Sequence, residues 1–451
     1  MRKYFLTLLS VLSLFLPLGV AGQTDYQFPE AIKPLIKTHW GQNFPYNVLC
    51  PKTEKEDGTL VYNLAGCGSL AMAQMVNYHQ YPSISPDGQY VYDWSLMFNS
   101  YQVGIRSERL VCVTKLISDC GASAFTEYSE VGSSTNMSAI MGAMKRLFRY
   151  TDEMGIYSRD DFTTPQRDSL FHQLIFSELQ AGRPVIYRGY SSGEKGGHLF
   201  LLDGCKGDKV HVNMGWAGHR DGYYRLDDLG GYSKQQWMLV EVADSNYHPA
   251  YTDIRLDEAG TLADHLTPDQ QLLTRHIRLS GQMNTDDFAT LRKMLKEGLL
   301  RTIDMADADL ETLPDSAFSD CTYLCHFIAP RRLRHTGNVT FFRCRNLNKI
   351  ILSDGLETVG GMAFCGCNNL LEVRLPSTVR HILGNAYNSC EALLNVILPE
   401  GVETLGNYAF AHCSHLNSLH LPKSLQHIGQ DVVNDCPRLK RFTKMTDEKK
   451  P

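Results

Sequence analysis

Apolar positions in the last third of the chain recur every 23 residues. Cys321, Cys344, Cys367, Cys390, Cys413 and Cys436 form one ladder; Phe318, Phe341, Phe364, Tyr387 and Phe410 run three positions ahead of it, and Leu324, Leu347, Leu370, Leu393, Leu416 and Leu439 three behind. Within a period, Leu347, Ile350 and Leu352 give the L-x-x-L-x-L pattern of a short strand, repeated at Leu370, Val373, Leu375 and at Leu393, Val396, Leu398. Pro376, Pro399 and Pro422 end those strands. A unit this short cannot bury its own apolar edge, so the units over residues 305–445 are expected to stack into a β-solenoid. At about 4.8 Å per stacked strand, six coils span roughly 30 Å. Ahead of them, Asn284-Thr285-Asp286-Asp287 predicts the start of a helix with Phe288, Leu291 and Leu295 on one face. Residues 249–304 are accordingly read as a linker and a helical cap of the solenoid.

The first half has no repeat and mixes two periods. Ala71, Met72, Met75 and Val76 predict a helix that opens at Cys67 and ends near Tyr81-Pro82. His198 to Asp203 reads as an apolar strand, and Lys209 to Asn213 as its returning partner. Residues 23–248 therefore read as a conventional globular domain. The first 22 residues read as a signal peptide: Arg2 and Lys3 precede the apolar run Tyr4 to Leu18, and Gly19 to Gly22 offer small residues for cleavage. That run falls short of the roughly 20 residues a bilayer span needs. No membrane span is expected in the mature chain, which is read as secreted, whether to the periplasm, the cell surface or the extracellular medium.

Composition narrows the function classes. Of 451 residues, 43% are hydrophobic and 21% charged, ordinary values for a globular protein of about three domains. A formal net charge of −5, with no long basic run, argues against nucleic acid as a partner. The 13 cysteines leave at least one thiol unpaired in any intramolecular pairing scheme. Stacked ladder positions lie at about disulfide distance, but a same-position ladder is read as buried free thiols filling the core. Cys365 and Cys367 lack a second ligand pair for zinc, and His79, His211 and His219 show no ligand spacing, so neither metal nor cofactor is expected.

Cys67, in Ala65-Gly66-Cys67-Gly68-Ser69, stands at a helix start, where free amides and the helix dipole favour a thiolate. A buried structural cysteine or a disulfide partner is the competing reading. His198 follows Gly196-Gly197 at the start of its strand, and the predicted hairpin returns Asn213 and Trp216 beside it. Asn213 is expected to accept the second imidazole N–H, with the Trp216 indole shielding that bond from water. Gly189-Tyr190-Ser191-Ser192-Gly193 matches G-x-S-x-G, but no helix pattern follows, so Ser191 is read as a loop residue rather than a nucleophile.

These segments resemble the streptopain family of papain-like cysteine peptidases. The resemblance rests on Ala65-Gly66-Cys67, Tyr78-His79-Gln80-Tyr81-Pro82, Gly197-His198, His211 to Gly218 and Asp221-Gly222-Tyr223-Tyr224. It implies an α+β papain-like cysteine peptidase domain followed by a leucine-rich-repeat β-solenoid. Cys67 would be the nucleophile and His198 the general base and acid, with Asn213 and Trp216 as its support. Protein or peptide substrates would be cleaved internally. Two departures from the family pattern stand out: Gly68-Ser69-Leu70 replaces Val-Ala-Thr, and Met214 replaces an aromatic residue. The upstream oxyanion-hole glutamine is replaced by Val61; Asn63 or Gln42 is the candidate second donor beside the Cys67 amide. Leu416 to Pro422 and Ala409 to Cys413 resemble the BspA-like leucine-rich repeats, which implies a protein or cell-surface ligand for the repeat region. The alternative is an adhesin-like binding protein whose protease-fold domain is inactive. Retention of Cys67, His198, Asn213 and Trp216 favours the enzyme.

Overall fold

The computed structural model describes residues 28–101, 107–191 and 196–444. The expected signal peptide and Ser192-Gly193 of the G-x-S-x-G motif lie outside the described residues. The N-terminal half opens with β1 (Ala31–Ile32) and a hairpin of β2 (Lys52–Glu54) and β3 (Leu60–Tyr62). Helices α1 (Cys67–His79), α2 (Glu108–Ser123) and α3 (Met137–Arg146) follow, then β4 (Gly155–Ser158) and α4 (Pro165–Gln180). Strands β5 (Val185–Tyr190), β6 (Gly197–Lys206), β7 (Lys209–Asn213), β8 (Gly222–Arg225) and β9 (Lys234–Val240) complete an antiparallel sheet in the order β4-β9-β5-β6-β7-β8, with β1 added on β6. Alternation along the strands sorts the side chains by face. Ile186, Leu199, Leu201 and Leu239 join the core under α1, α2 and α3, while Tyr187, Phe200, Leu202 and Met238 join the core under α4.

Residues 249–304 are not a linker. They fold as β10 (Thr252–Leu256), α5 (Pro268–Leu273), β11 (His276–Gly281), α6 (Thr285–Glu297) and β12 (Thr302–Ala308), and β10, β11 and β12 pair in parallel. The strand signal, Ile254/Leu256 and Ile277/Leu279, is only two apolar residues per strand, and flanking polar residues obscure it in the sequence. Helix α6 is closed by a reciprocal cap between Asn284 and Asp287 and buries Phe288, Leu291, Met294 and Leu295. The sheet continues through β13 (His326–Ile328) and β14 (Lys349–Ile351).

Beyond β14 the chain repeats itself in space. β15 (Thr358–Val359), β16 (His381–Ile382), β18 (Thr404–Leu405) and β20 (His427–Ile428) pair in parallel at successive 23-residue offsets. So do β17 (Asn395–Ile397), β19 (Ser418–Leu421) and β21 (Arg441–Lys444). Phe341, Phe364, Tyr387 and Phe410 stack face to face with centroids 5.1 Å apart. All 13 cysteines are free thiols. Those of Cys344, Cys367, Cys390, Cys413 and Cys436 donate to the carbonyl of the ring residue one coil back, at 3.1–3.3 Å. One expected strand does not form: residues 371–375 carry the repeat pattern but join neither β14 nor β17.

The two halves share one interior. Leu299 and Tyr323 belong to the core beneath α4, and Tyr323 stacks on Tyr157 with centroids 4.7 Å apart. Next to them lies a buried ionic network. Glu241 meets Arg301 at 2.6 Å and His276 at 2.8 Å, Glu178 holds Arg183 and Arg275 at 2.8 and 2.5 Å, and Glu153 meets His326 at 3.0 Å. Glu241, Glu178 and Arg301 have essentially no exposed surface. Carboxylates come from the first half; Arg275, His276, Arg301 and His326 come from the second.

Removing one partner of such a pair strands the other in a medium that cannot solvate it. Arg301→Ala should therefore lower stability by about 3–5 kcal/mol, with both halves still unfolding in one transition. Guanidinium titration followed by tryptophan fluorescence and far-ultraviolet dichroism measures this; a shift under 1 kcal/mol would mean that the network does not hold the halves together. Acid should weaken the fold as well. Burial holds the imidazole of His79 down at about 4 and pushes that of His326 below its ordinary value. The unfolded chain takes up protons from about pH 6.5 downward while the folded chain does not, so stability is full above that pH and falls between 6.5 and about 4. Melting temperatures at pH 7, 5.5 and 4.5 should decline in that order.

Candidate active site

Cys67 is the first residue of α1, and Gly66 before it sits at φ 88°. This left-handed turn aims the chain into the helix, and a side chain there would press on Thr126 and Ser133. A β-carbon on Gly68 would lie 2.4 Å from Thr135 and 2.9 Å from Leu199, so glycine is the residue that fits at the first of the departed positions. Ser69, the next, hydrogen-bonds Thr126 at 2.8 Å. The Cys67 sulfur accepts the Leu199 amide at 3.4 Å, which puts the thiol beside the strand residue that follows His198.

The expected depression of the thiol pKa is not what the site produces. Burial pushes the Cys67 thiol above its ordinary value, against the amides of Leu199, Gly68 and Cys67 itself and the charge of Arg188. Part of the residue stays open to solvent, yet the atoms packed around the sulfur are dense enough to disfavour a thiolate in the resting state. The helix start alone does not offset that desolvation.

His198 is 5% exposed and lies at the head of β6. Its Nε2 stands 2.8 Å from the Met214 carbonyl oxygen. A carbonyl can only accept, so the proton sits on Nε2 and Nδ1 keeps its lone pair. Burial lowers the imidazole to about 4, with the Met214 carbonyl opposing and Arg220 adding to the effect. Trp216 stacks on the ring at 4.6 Å and 24°, and Tyr232 and Phe200 pack around it at 5.3 and 5.7 Å.

Asn213 does not take the expected role. Its Oδ1 accepts from Gln74 Nε2 and from the Gly215 amide, both at 3.1 Å, and its Nδ2 donates to the Thr38 carbonyl at 2.8 Å. The amide is thus spent on tying the end of β7 to α1 and to the segment near Thr38. The carbonyl that the imidazole uses belongs to the next residue, whose own amide donates to Asp221 Oδ1 at 2.8 Å. Met214 therefore contributes its backbone, and its side chain is buried in the core beneath α4. Sequence reasoning missed Gln74, Thr38 and Tyr232. It could have found Phe200, since residues two apart on a strand share a face.

Asn63 Oδ1 accepts from Thr53 Oγ1 at 2.8 Å. The Gln42 carbonyl accepts the Ala65 amide at 2.9 Å, so Gln42 runs alongside the nucleophile segment. Ser191 follows β5, and the next described element is the strand β6 rather than a helix. His79 and His211 are engaged with Tyr150 at 3.0 Å and Asp203 at 2.6 Å. Among the described residues no group of three His, Cys, Asp or Glu side chains stands together to hold a metal ion.

Both halves of the chain are similar to known proteins. Residues 40–224 match the Peptidase C10 family, and residues 293–357 and 334–449 match the BspA type leucine rich repeat region in six copies. Streptopain of Streptococcus pyogenes serotype M28 is 30% identical over 265 residues, covering 49% of this chain and 65% of its own length. The chain thus spans less than two thirds of that relative. The thiol protease/hemagglutinin PrtT of Porphyromonas gingivalis is 26% identical over 253 residues, covering 48% of this chain and 28% of that protein. The structure of active interpain A, a cysteine protease of Prevotella intermedia, overlays 50% of this chain and 100% of its own at 29% identity and a TM-score of 0.43. The chain carries an N-terminal Peptidase C10 (streptopain) family domain and a C-terminal BspA-type leucine-rich repeat region.

Proposed function

We propose that the chain is a secreted cysteine endopeptidase of papain-like fold whose repeats form a solenoid that binds a protein or surface ligand. The observation that carries the enzymatic reading is the pairing of two local constraints. The Cys67 sulfur is held against the Leu199 amide, and the neighbouring imidazole is fixed with its proton on Nε2. In this reading His198 Nδ1 takes the thiol proton as the sulfur attacks the scissile carbonyl. The tetrahedral oxyanion is received by the Cys67 amide at the start of α1, with Gln42 as the second donor. Collapse to the acyl-enzyme returns the proton from His198 to the leaving amine, and water completes hydrolysis by the reverse path. Because burial raises the thiol and lowers the imidazole, the resting pair is neutral, and the proton moves only as substrate excludes water and negative charge develops near the amides. Trp216 and Tyr232 keep the Nε2 bond dry. Export rests on Arg2, Lys3 and the apolar run behind them.

A cysteine-directed epoxide inhibitor should label Cys67 among the 13 thiols, and Cys67→Ala should abolish cleavage of an unstructured protein while melting like the wild type. Label located by mass spectrometry on Cys205 or on the repeat cysteines, with none on Cys67, would return the reading to an inactive, adhesin-like binding protein. Asn213 gives a sharper expectation. Since a main-chain carbonyl orients the imidazole, Asn213→Ala should reduce kcat/KM by no more than about tenfold at unchanged pH profile. Stability should drop by about 1–3 kcal/mol from the orphaned Gln74 and Thr38 groups. A loss beyond a hundredfold in a folded variant would make the Asn213 side chain the working partner of His198.

A further inference from the structure

The repeat ladder breaks at one coil. Residues 371–375 carry the same L-x-x-V-x-L pattern as their neighbours, and Val373 still faces the core, but among the described residues their amides and carbonyls pair with no other main chain. On the turn side the coils remain joined there, through Thr358 to His381 and His381 to Thr404. The splay is therefore confined to the strand face.

A groove of about 630 Å³ occupies that place. The peptidase domain supplies one wall, with Lys145 and Arg146 at the end of α3 and Asp152 beyond it. The repeats supply the rest: Lys349, Ile350 and Ile351 of β14, then Leu371, Glu372 and Arg374 of the unpaired coil, and Leu394 and Asn395 of the next. The groove prolongs the contact between the halves, where Lys145 already donates to Asn348 at 3.2 Å and Lys349 meets Asp152 at 2.9 Å. Ile351 is 46% exposed along it. Four cationic side chains line it against two carboxylates, and these two are matched by Lys349 and Arg374. Lys145 spends its three ammonium donors on the carbonyls of Asp152 and Met154 and on Asn348 Oδ1, so the exposed Arg146 is left as the available positive charge.

Helix α3 connects this groove to the thiol. Its first turns pack on the nucleophile segment, with Ile140 Cδ1 only 3.1 Å from where a Gly68 β-carbon would stand, and its last turn reaches the groove. Ten helical residues span about 15 Å, the reach of roughly five residues of extended chain. We infer that the groove is an exosite for the substrate itself: an extended polypeptide segment, acidic and aliphatic, on the same chain as the scissile bond and about five to ten residues from it. A carboxylate would meet Arg146, the aliphatic side chains Ile351 and Leu394, and the main chain the unclaimed groups of residues 371–375. This inference rests on the peptidase reading, and binding can be measured without it.

The test uses the full chain and a fluorogenic peptide confined to the scissile region, alone and extended on either side by ten residues ending in Glu-Leu-Glu-Val. One of the two extensions should raise kcat/KM at least tenfold. Arg146→Glu and Ile351→Glu, both at exposed positions, should each remove that gain while changing cleavage of the short peptide by less than twofold. No gain from either extension, or a gain that survives both substitutions, overturns the exosite. Fluorescence anisotropy of the labelled Glu-Leu-Glu-Val segment on the Cys67→Ala chain separates the two readings. Saturable binding lost in Ile351→Glu supports the groove even where no peptide is cleaved, and absence of binding to the chain with its groove intact overturns it. A Lys-Leu-Lys-Val segment bound equally well would overturn the acidic preference.

Discussion

Desolvation of charge at the junction governs how this chain is built. Arg301 has no exposed surface, and its guanidinium is met by Glu241 and the Glu153 carbonyl, both from the other half. A buried guanidinium without such partners would be costly enough to keep its strand in water. Glu241 and Glu178 are in the same position with respect to Arg275. Burial works to raise Glu241, and the charges of Arg301, His276 and Arg275 outweigh it and hold the carboxyl well below its usual range. Neither set of charges can enter the interior alone. The contact of β10 to β13 with the first half thus matches buried carboxylates to buried cations as well as apolar surface to apolar surface. The angle at which the repeats leave the peptidase domain is fixed by the same contacts.

The candidate site obeys the same rule on a smaller scale. Cys67 and His198 are each desolvated in the direction that favours their neutral forms. What the fold provides instead of a preformed ion pair is orientation: an amide on the sulfur, a carbonyl on Nε2, and aromatic rings that leave little room for the imidazole to turn. Orientation of this kind is fixed at folding, which is where a rigid site differs from a solvated one. Thr38, Gln74 and Asn213 form a buried polar chain that pins the β7 end, so that the Met214 carbonyl is presented at one distance and one angle.

Features written as side-chain patterns were legible in the sequence. The 23-residue ladder of Cys321 to Cys436 announces parallel stacking because each coil must repeat the chemistry of its neighbours. Helix α1 and the β6–β7 hairpin follow from spacing; they stack Trp216 on His198 and set the Cys67 sulfur on the amide of the next residue, Leu199. What was not legible depends on the backbone or on distant segments. A carbonyl has no letter, so the bond to Met214 could not be told from one to Asn213, its neighbour in sequence and the more familiar acceptor. Tyr232 reaches His198 from beyond β8, with no pattern to mark it. The strands at 252–256 and 276–281 were hidden because each needs only two inward apolar residues when a large neighbouring core completes the burial.

The break at residues 371–375 shows why a repeat pattern constrains less than it suggests. Val373 satisfies the inward requirement of the pattern whether or not its strand is hydrogen-bonded, because burial is a property of one side chain and pairing is a property of two backbones. The stacked rings of Phe341, Phe364 and Tyr387 keep the coils at their spacing on one side, so the strand face can open without dismantling the stack. Coils before the break belong to a sheet that begins at β10 and is anchored by Arg301 and His326; coils after it form a separate ladder from β17 onward. The opening falls next to Lys145 and Asp152 of the peptidase domain, at the end of the anchored sheet, and there the rigid junction gives way to a surface whose polar backbone is still available.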